Sequence, residues 1–213
     1  MNQTESTFTD DFIQGAISAA QAMSYWEVIA VVLGIAYIVL AMRQNSLCWY
    51  AAFGSTGIYT WLFFDVSLLM ESALSFYYLI MAVYGWYVWN KTPNASNTSN
   101  TLPVTTWNVK QHTLTILGVF ALTFISGYLL SNHTGAVMPY LDSFTTWGAV
   151  ITTYMVAKKV LENWIYWIVI NTLAIYLYVD RELYLTSALM ASYVVLSVVG
   201  FNAWNKSLKE QGA

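Results

Sequence analysis

Residues 71–91 read ESALSFYYLIMAVYGWYVWNK, and residues 186–206 read TSALMASYVVLSVVGFNAWNK. The two stretches share Ser-Ala-Leu, a tyrosine, a glycine and a final Trp-Asn-Lys at a constant offset of 115 residues. Extended without a gap to residues 43–91, the same offset matches 13 of 49 positions and aligns Trp49 with Trp164. Apolar composition does not account for matching Asp, Gly and Trp-Asn-Lys. The chain therefore contains an internal duplication.

The composition places both copies in a membrane. Of 213 residues, 58% are hydrophobic and only 9% are charged, against about 25% charged in soluble domains. The net charge of -3 lacks the basic surplus of a nucleic-acid binder. The single Cys48 excludes an intramolecular disulfide, and two histidines are too few for a histidine-rich metal site. We therefore predict an all-α polytopic membrane protein without metal or cofactor.

Seven segments approach the ~20 apolar residues that a helix needs to cross a bilayer, and the fifth is the shortest. The predicted spans are Trp26–Met42, Leu47–Phe64, Leu68–Trp89, Thr113–Ser131, Phe144–Ala157, Trp164–Val179 and Leu183–Trp204.

Loop charges predict the orientation, because basic residues stay on the cytoplasmic side. With seven spans, the odd-numbered loops and the C-terminus share one side. That side holds seven of the 8 basic residues, Arg43, Lys91, Lys110, Lys158, Lys159, Lys206 and Lys209. The other side holds only Arg181. We expect a periplasmic N-terminus and a cytoplasmic C-terminus.

Each repeat has three spans, so the fourth span must restore the orientation of the second copy. Two parallel three-helix bundles joined by a linker helix, 3+1+3, follow from this count, and substrate sites in such carriers lie where the repeats meet. The expected organisation is an extracytoplasmic segment 1–25, a first bundle 26–91, a cytoplasmic linker 92–112, a linker helix 113–131, a second bundle 141–206 and a cytoplasmic tail 207–213.

The polar residues that break the repeat symmetry are candidates for binding, because polar groups at membrane depth usually face a cavity. Asn171 lies within span six, where the first copy has Thr56. Trp164, Trp167 and Asn171 share one helical face, so two indole faces and an amide can hold a heteroaromatic ring. The alternatives are interfacial anchoring for Trp164 and helix–helix hydrogen bonding for Asn171.

Glu71 is the second residue without a counterpart, and it lies near the outer end of span three. Its carboxylate can attract a cationic ligand or reach the outer interface. Ser75 and Tyr78 share its helical face, and Tyr59 is a further candidate for the cavity wall. Asp65 and Asp180 occupy equivalent helix junctions, a position that suits N-capping.

A catalytic constellation is absent from the sequence. His112 and His133 flank span four on opposite sides of the membrane, and the chain has no phosphate-binding glycine loop, HExxH or CxxC motif. We predict a transporter and not an enzyme.

Residues 162–171, ENWIYWIVIN, resemble the WxxWxxxN signature of the PnuC family of vitamin transporters, and residues 84–89, YGWYVW, are similar to the end of its third core helix. The resemblance implies a SWEET-like fold and facilitated diffusion of a small-molecule vitamin. It also implies trapping by a cytoplasmic vitamin kinase and a homotrimer in a bacterial inner membrane.

The cargo branches of this family differ in their polar residues. The nicotinamide riboside branch tends to have Gln where Ser75 stands, and Asn where Ala82 and Val199 stand. Residues 70–74, MESAL, resemble the thiamine branch (PnuT), and a cationic thiazolium suits the tryptophans and Glu71. We therefore expect thiamine first and nicotinamide riboside second. A SWEET-type sugar carrier and a non-transporting membrane protein are the remaining alternatives.

Overall fold

The computed structural model describes residues 3–65, 69–91 and 102–211, and these ranges contain eight helices. The helices are α1 (Gln3–Ala22), α2 (Tyr25–Met42), α3 (Cys48–Asp65), α4 (Leu69–Lys91), α5 (Val109–His133), α6 (Pro139–Ala157), α7 (Asn163–Asp180) and α8 (Tyr184–Gln211). The all-α prediction is confirmed.

Helices α2–α8 coincide with the seven predicted segments, with differences at their ends. The fifth begins at Pro139 instead of Phe144, because proline is favourable in the first turn of a helix. Residues 207–211 continue α8 and are not a separate tail, and α1 occupies most of the N-terminal segment. Leu68 and residues 92–101 of the predicted linker lie outside the described residues.

Three helices of the described chain, α2, α5 and α8, are long and apolar enough by length and composition to cross a membrane. The other four of the predicted seven, α3, α4, α6 and α7, do not meet this criterion. Their polar side chains include Ser55, Ser75, Thr153 and Asn171, all buried. Buried polar residues in a helix of a membrane protein usually face other helices or a cavity.

Local sequence signals set several helix ends. Ser24 and Glu27 form a capping box at the start of α2, and Asn108 and Gln111 form another at the start of α5. The predicted N-capping role of Asp65 and Asp180 is wrong, because Asp65 ends α3 and Asp180 ends α7.

The two triplets of the repeat make equivalent contacts. Helix α3 packs between α2 and α4, and α7 packs between α6 and α8, while α5 packs on α6. Between the triplets, α4 contacts α6 and α2 contacts α8. The offset of 115 exchanges α2 with α6 and α4 with α8, so it converts one of these contacts into the other. The halves are therefore packed with two-fold pseudo-symmetry.

Four tryptophans form the centre of this packing. Trp49 meets Trp89 edge to face at 5.3 Å, and their counterparts Trp164 and Trp204 do the same at 5.4 Å. Trp89 and Trp204, which are equivalent in the repeat, lie 6.2 Å apart across the junction of the halves. We call these four residues the tryptophan cluster. Edge-to-face pairs add to the energy of area burial.

Hydrogen bonds at the cluster also follow the repeat. The Trp89 indole donates to the Ala157 carbonyl at 3.1 Å, and the Trp204 indole donates to the Ala41 carbonyl at 3.0 Å. Each indole thus crosses from one half to the end of the first helix of the other. Burial makes both bonds costly to lose.

The turns after α2 and α6 meet beside the cluster. Gln44 and Lys159 are repeat equivalents with φ of 55° and 50°, and the Lys159 ammonium lies 3.3 Å from the Gln44 amide oxygen. Contact between equivalent residues places this pair at the axis that relates the halves.

A short extended segment before α5 covers this turn. The Thr105 N–H donates to the Lys159 carbonyl at 2.9 Å, and the Thr105 carbonyl accepts from the Leu161 N–H at 2.8 Å. The Trp107 N–H donates to the Glu162 carboxylate at 3.3 Å. The connection to α5 is therefore pinned to the α6–α7 turn and buries Lys159 completely.

Candidate functional site

Two adjoining cavities lie where the halves meet, and we call them lobe A and lobe B. Lobe A has a volume of about 230 Å³ and lobe B of about 150 Å³. Gly34, Tyr37 and Trp167 line both lobes, so the lobes are parts of one central space. Lobe A is completed by Ile38, Ala41, Val156, Trp164, Asn171, Met190, Tyr193 and Ser197. Lobe B is completed by Trp49, Ala52, Ser55, Thr56, Tyr78 and Thr153.

The two lobes are related by the internal repeat. Trp164, Asn171 and Tyr193 in lobe A correspond to residues that line lobe B at the same offset. These are Trp49, Thr56 and Tyr78. The duplication therefore produced two related half-sites, and each of them is lined by residues of both triplets.

Trp167 makes the site asymmetric. Its counterpart in the first half is Ala52, which lines lobe B. The indole of Trp167 borders both lobes, whereas Ala52 lines lobe B alone. A flat π-face at this position can stack against a heteroaromatic ring and attracts a ring with positive charge.

Asn171 is the strongest polar candidate of lobe A. Its side chain is 5% exposed, and it forms no hydrogen bond with any residue that the structure describes. A carboxamide offers donors and an acceptor. The amide atoms of Asn171 are not among the buried unpartnered atoms of the described chain, so they remain accessible from lobe A, where a ligand amide can pair with them.

The serine and threonine hydroxyl groups of lobe B have already used their protons. Ser55 donates to the Ala30 carbonyl, Thr56 to the Ala52 carbonyl and Thr153 to the Ala149 carbonyl, each at 2.8 Å. Each oxygen keeps lone pairs that can accept from a ligand. These three side chains therefore offer acceptors, while the phenols of Tyr37 and Tyr78 in the same lobe can also donate.

Both lobes are electrically neutral, since every residue that lines them is uncharged at neutral pH. A phosphate would lose its hydration without gaining a cation, which is a severe cost at membrane depth. Neutral or singly cationic organic molecules fit such a space.

The structure brings together three of the predicted residues, Trp164, Trp167 and Asn171, in lobe A, and it places Tyr78 in lobe B. Trp164 is 4% exposed and packs against Gly200, so it is also part of the tryptophan cluster. Its indole N–H and that of Trp49 are buried without a partner in the described chain. Because both copies share this buried and unpaired indole N–H, we attribute it to the repeat and not to the recognition of one cargo.

Three other predicted residues lie outside the lining of both lobes. Ser75 is buried in α4, Tyr59 stacks on Phe63 with ring centroids 5.5 Å apart, and Glu71 is exposed in the first turn of α4. A carboxylate in a first helical turn is stabilised by the helix dipole. Glu71 therefore does not line either lobe of the cavity.

Several residues that line the lobes were not predicted from the sequence. Tyr193 could have been found, because it is the repeat counterpart of Tyr78. Tyr37, Ser55 and Thr153 had no such signal, since hydroxyl residues on apolar helices commonly bond their own backbone.

A larger groove of about 470 Å³ lies between α5, α6 and α7. Its walls are apolar except for His112, Glu162 and Tyr166, and His112 hydrogen-bonds Tyr166 at 2.9 Å. It lies away from the junction of the halves and offers little to a water-soluble cargo. Size alone therefore does not identify the site.

A helical bundle with a neutral, aromatic-lined cavity between two repeats has the architecture of a membrane transporter for an organic solute. The chain belongs to the nicotinamide mononucleotide transporter family, whose sequence profile matches residues 24–206. The predictions of membrane transport and of no enzymatic activity are confirmed by this membership.

Two relatives extend the comparison over most of the chain. The nicotinamide riboside transporter PnuC of Escherichia coli K12 is 21% identical over 216 residues, which cover 90% of this chain and 89% of that protein. The nicotinamide riboside transporter PnuC of Neisseria mucosa is 25% identical over 206 residues, covering 92% and 78%. Both relatives are named for nicotinamide riboside, the cargo that was predicted second from the sequence, and neither name supports thiamine.

A solved structure agrees in fold. The crystal structure of the vitamin B3 transporter PnuC matches with a TM-score of 0.71, over 99% of this chain and 94% of that one, at 22% identity. The protein therefore has the fold of that transporter.

Proposed function

We propose that this protein carries nicotinamide riboside across a membrane by facilitated diffusion. The family profile and the relatives named as riboside transporters support this cargo class. The observation that carries the proposal is the pairing of Trp167 and the unpartnered Asn171 in one neutral lobe. Nicotinamide riboside presents a cationic pyridinium ring with a carboxamide, which matches a π-face beside an amide.

The riboside is favoured over the mononucleotide that gives the family its name. The two differ by a phosphate group, and the lining of both lobes has no lysine or arginine. Buried anions require a paired cation or several donors. The nucleotide would therefore bind far more weakly.

The proposed architecture is seven spans in a SWEET-like 3+1+3 arrangement, with α5 as the linker helix between parallel bundles α2–α4 and α6–α8. The equivalent contacts across the junction support it. Loop charges support an inner-membrane location with the C-terminus in the cytoplasm. Cysteines introduced at Asn132 and Ser207, in a Cys48→Ser background, should react with impermeant maleimide from opposite sides of the membrane.

Net uptake requires a sink, because a facilitator only equilibrates its cargo. We propose that a cytoplasmic vitamin kinase phosphorylates the riboside, since a phosphorylated product does not fit the neutral lobes. Homotrimeric assembly remains part of the proposal. Mass measurement of the detergent-solubilised protein tests it.

The cargo is tested by calorimetric titration of the purified protein with four ligands: nicotinamide riboside, nicotinamide mononucleotide, thiamine and glucose. We expect saturable binding of the riboside and at least about 100-fold weaker binding of the mononucleotide, from the unpaired phosphate charge. Saturable thiamine binding with none for the riboside would overturn the proposal. Glucose binding alone would point to a sugar carrier.

A further inference from the structure

Lobe B adds a second recognition element to the proposed site. It borders lobe A along Tyr37 and Trp167. A ligand whose ring stacks on Trp167 therefore extends its remaining atoms into one lobe or the other. The polar groups that line lobe B decide which atoms of the ligand can bind there.

The acceptors of lobe B come from two helices, one in each half. Ser55 and Thr56 belong to α3, and Thr153 belongs to α6 of the other half. All three hydroxyl protons are bound by backbone carbonyls at 2.8 Å. A ligand group beside these three side chains has to donate hydrogen bonds to pair with them.

The absence of charged residues from the lining also limits which kind of ligand donor can bind in lobe B. An ammonium group would be buried without a carboxylate, because lobe B is lined by neutral residues. Hydroxyl groups donate without carrying charge. Tyr78, whose phenol has no hydrogen-bond partner among the described residues, can donate to or accept from the same groups.

We infer that lobe B is the subsite for the hydroxylated sugar of the cargo, with Thr153 and Thr56 as its specificity-determining residues. This inference rests on the proposed function and deepens it. It assigns the ring and carboxamide to Asn171 and Trp167, and the vicinal hydroxyls to the threonines. The two lobes, which are equivalent in the repeat, would then bind the two ends of one molecule.

Thr153 has a matched control in the same helix. Thr152 is fully buried and donates to the Gly148 carbonyl at 2.7 Å, as Thr153 donates to the Ala149 carbonyl, but it does not line either lobe. Thr152→Val and Thr153→Val therefore remove the same kind of helical bond. Only the second removes an acceptor from the site.

The test is calorimetric titration of the full-length protein and these variants with nicotinamide riboside and its 2′,3′-dideoxy analogue. We expect Thr153→Val to weaken riboside binding about tenfold, as for one lost hydrogen bond to a ligand, and Thr152→Val to change it less than twofold. Thr153→Ser should restore binding. The analogue should bind the wild type at least about tenfold more weakly.

The outcomes separate the inference from the function on which it rests. Equal riboside affinities in Thr153→Val and Thr152→Val would overturn the sugar subsite while the riboside still binds. An analogue that binds the wild type as tightly as the riboside would overturn it as well. A wild-type protein that binds neither ligand would instead overturn the proposed function.

Discussion

The two halves of this protein, α2–α4 and α6–α8, have the same packing but different site chemistry. Each half has a glycine under an indole, Gly85 beneath Trp49 and Gly200 beneath Trp164. The polar and aromatic positions diverge, with Ala52 opposite Trp167 and Thr56 opposite Asn171. The equivalent residues maintain the fold, and the divergent residues make a two-fold cavity suit an asymmetric molecule.

Trp167 and its repeat counterpart Ala52 should give the largest effects. Trp167→Ala removes the stacking face that both lobes share, and a stacked base on an aromatic side chain contributes about 1–3 kcal/mol. We expect riboside binding to weaken by up to about 100-fold. Isothermal titration measures it, with the exposed Tyr176→Ala as control.

The reciprocal change fills lobe B. Ala52→Trp should abolish riboside binding while leaving the protein folded, since the added indole occupies cavity space. Full binding by either variant would break the proposed asymmetry.

The equivalent glycines Gly85 and Gly200 test the packing that the two halves share. A methyl group at Gly85 would overlap the Trp49 ring, and one at Gly200 would lie 2.7 Å from the Trp164 ring. Gly85→Ala and Gly200→Ala should each destabilise the protein by about 1–3 kcal/mol through overpacking. Gly118→Ala is the control, because nothing lies within 4 Å of the added methyl. Thermal unfolding in detergent measures all three, and a marked difference between Gly85→Ala and Gly200→Ala would contradict equivalent packing.

Asn171 should give the next largest effect. Asn171→Thr copies the first half into the second and removes the amide from lobe A. We expect about tenfold weaker riboside binding, the cost of one or two hydrogen bonds to a ligand amide. Thr172→Val, at the neighbouring exposed position, should have no effect on the same titration. Unchanged binding in Asn171→Thr would remove Asn171 from the site.

At the axis that relates the halves, the two copies differ again, with Lys159 in the second and Gln44 in the first. Burial lowers the pKa of Lys159 from 10.5 to about 8, although the nearby Cys48 opposes this shift. Because the unfolded chain binds more protons between these values, stability should rise from pH 8 to 10.5. Lys159→Gln should reduce this rise by roughly 1–3 kcal/mol, because glutamine does not titrate. Thermal unfolding at pH 7 and pH 10.5 measures it, and an identical pH dependence in the variant would contradict the burial effect.

Glu71 should give the smallest effect, because its exposed carboxylate does not line either lobe. Glu71→Gln should change riboside affinity less than about twofold, as expected of an exposed charge in salt. A tenfold loss at physiological ionic strength would return Glu71 to the site.

Much of the fold and part of the site were predictable. Seven apolar segments and the offset of 115 predicted the helices and the equivalence of the halves. Trp164, Trp167 and Asn171 were found together because their spacing puts them on one face of a single helix. Thr153, Ser55 and Tyr37 were not found, because they reach the cavity from other helices and their spacing carries no information about that meeting.

Composition and local periodicity are enough to predict the helical class, the duplication and the helix face that carries the indoles and the amide. The contacts between helices were needed to separate the role of Trp89 and Trp204, which hold the halves together, from that of Trp167, which borders the open space. They also left Glu71 outside both lobes and placed Thr153 in the same lobe as Ser55 and Thr56. Burial and cavity lining arise where distant helices meet, and no single helix specifies that meeting.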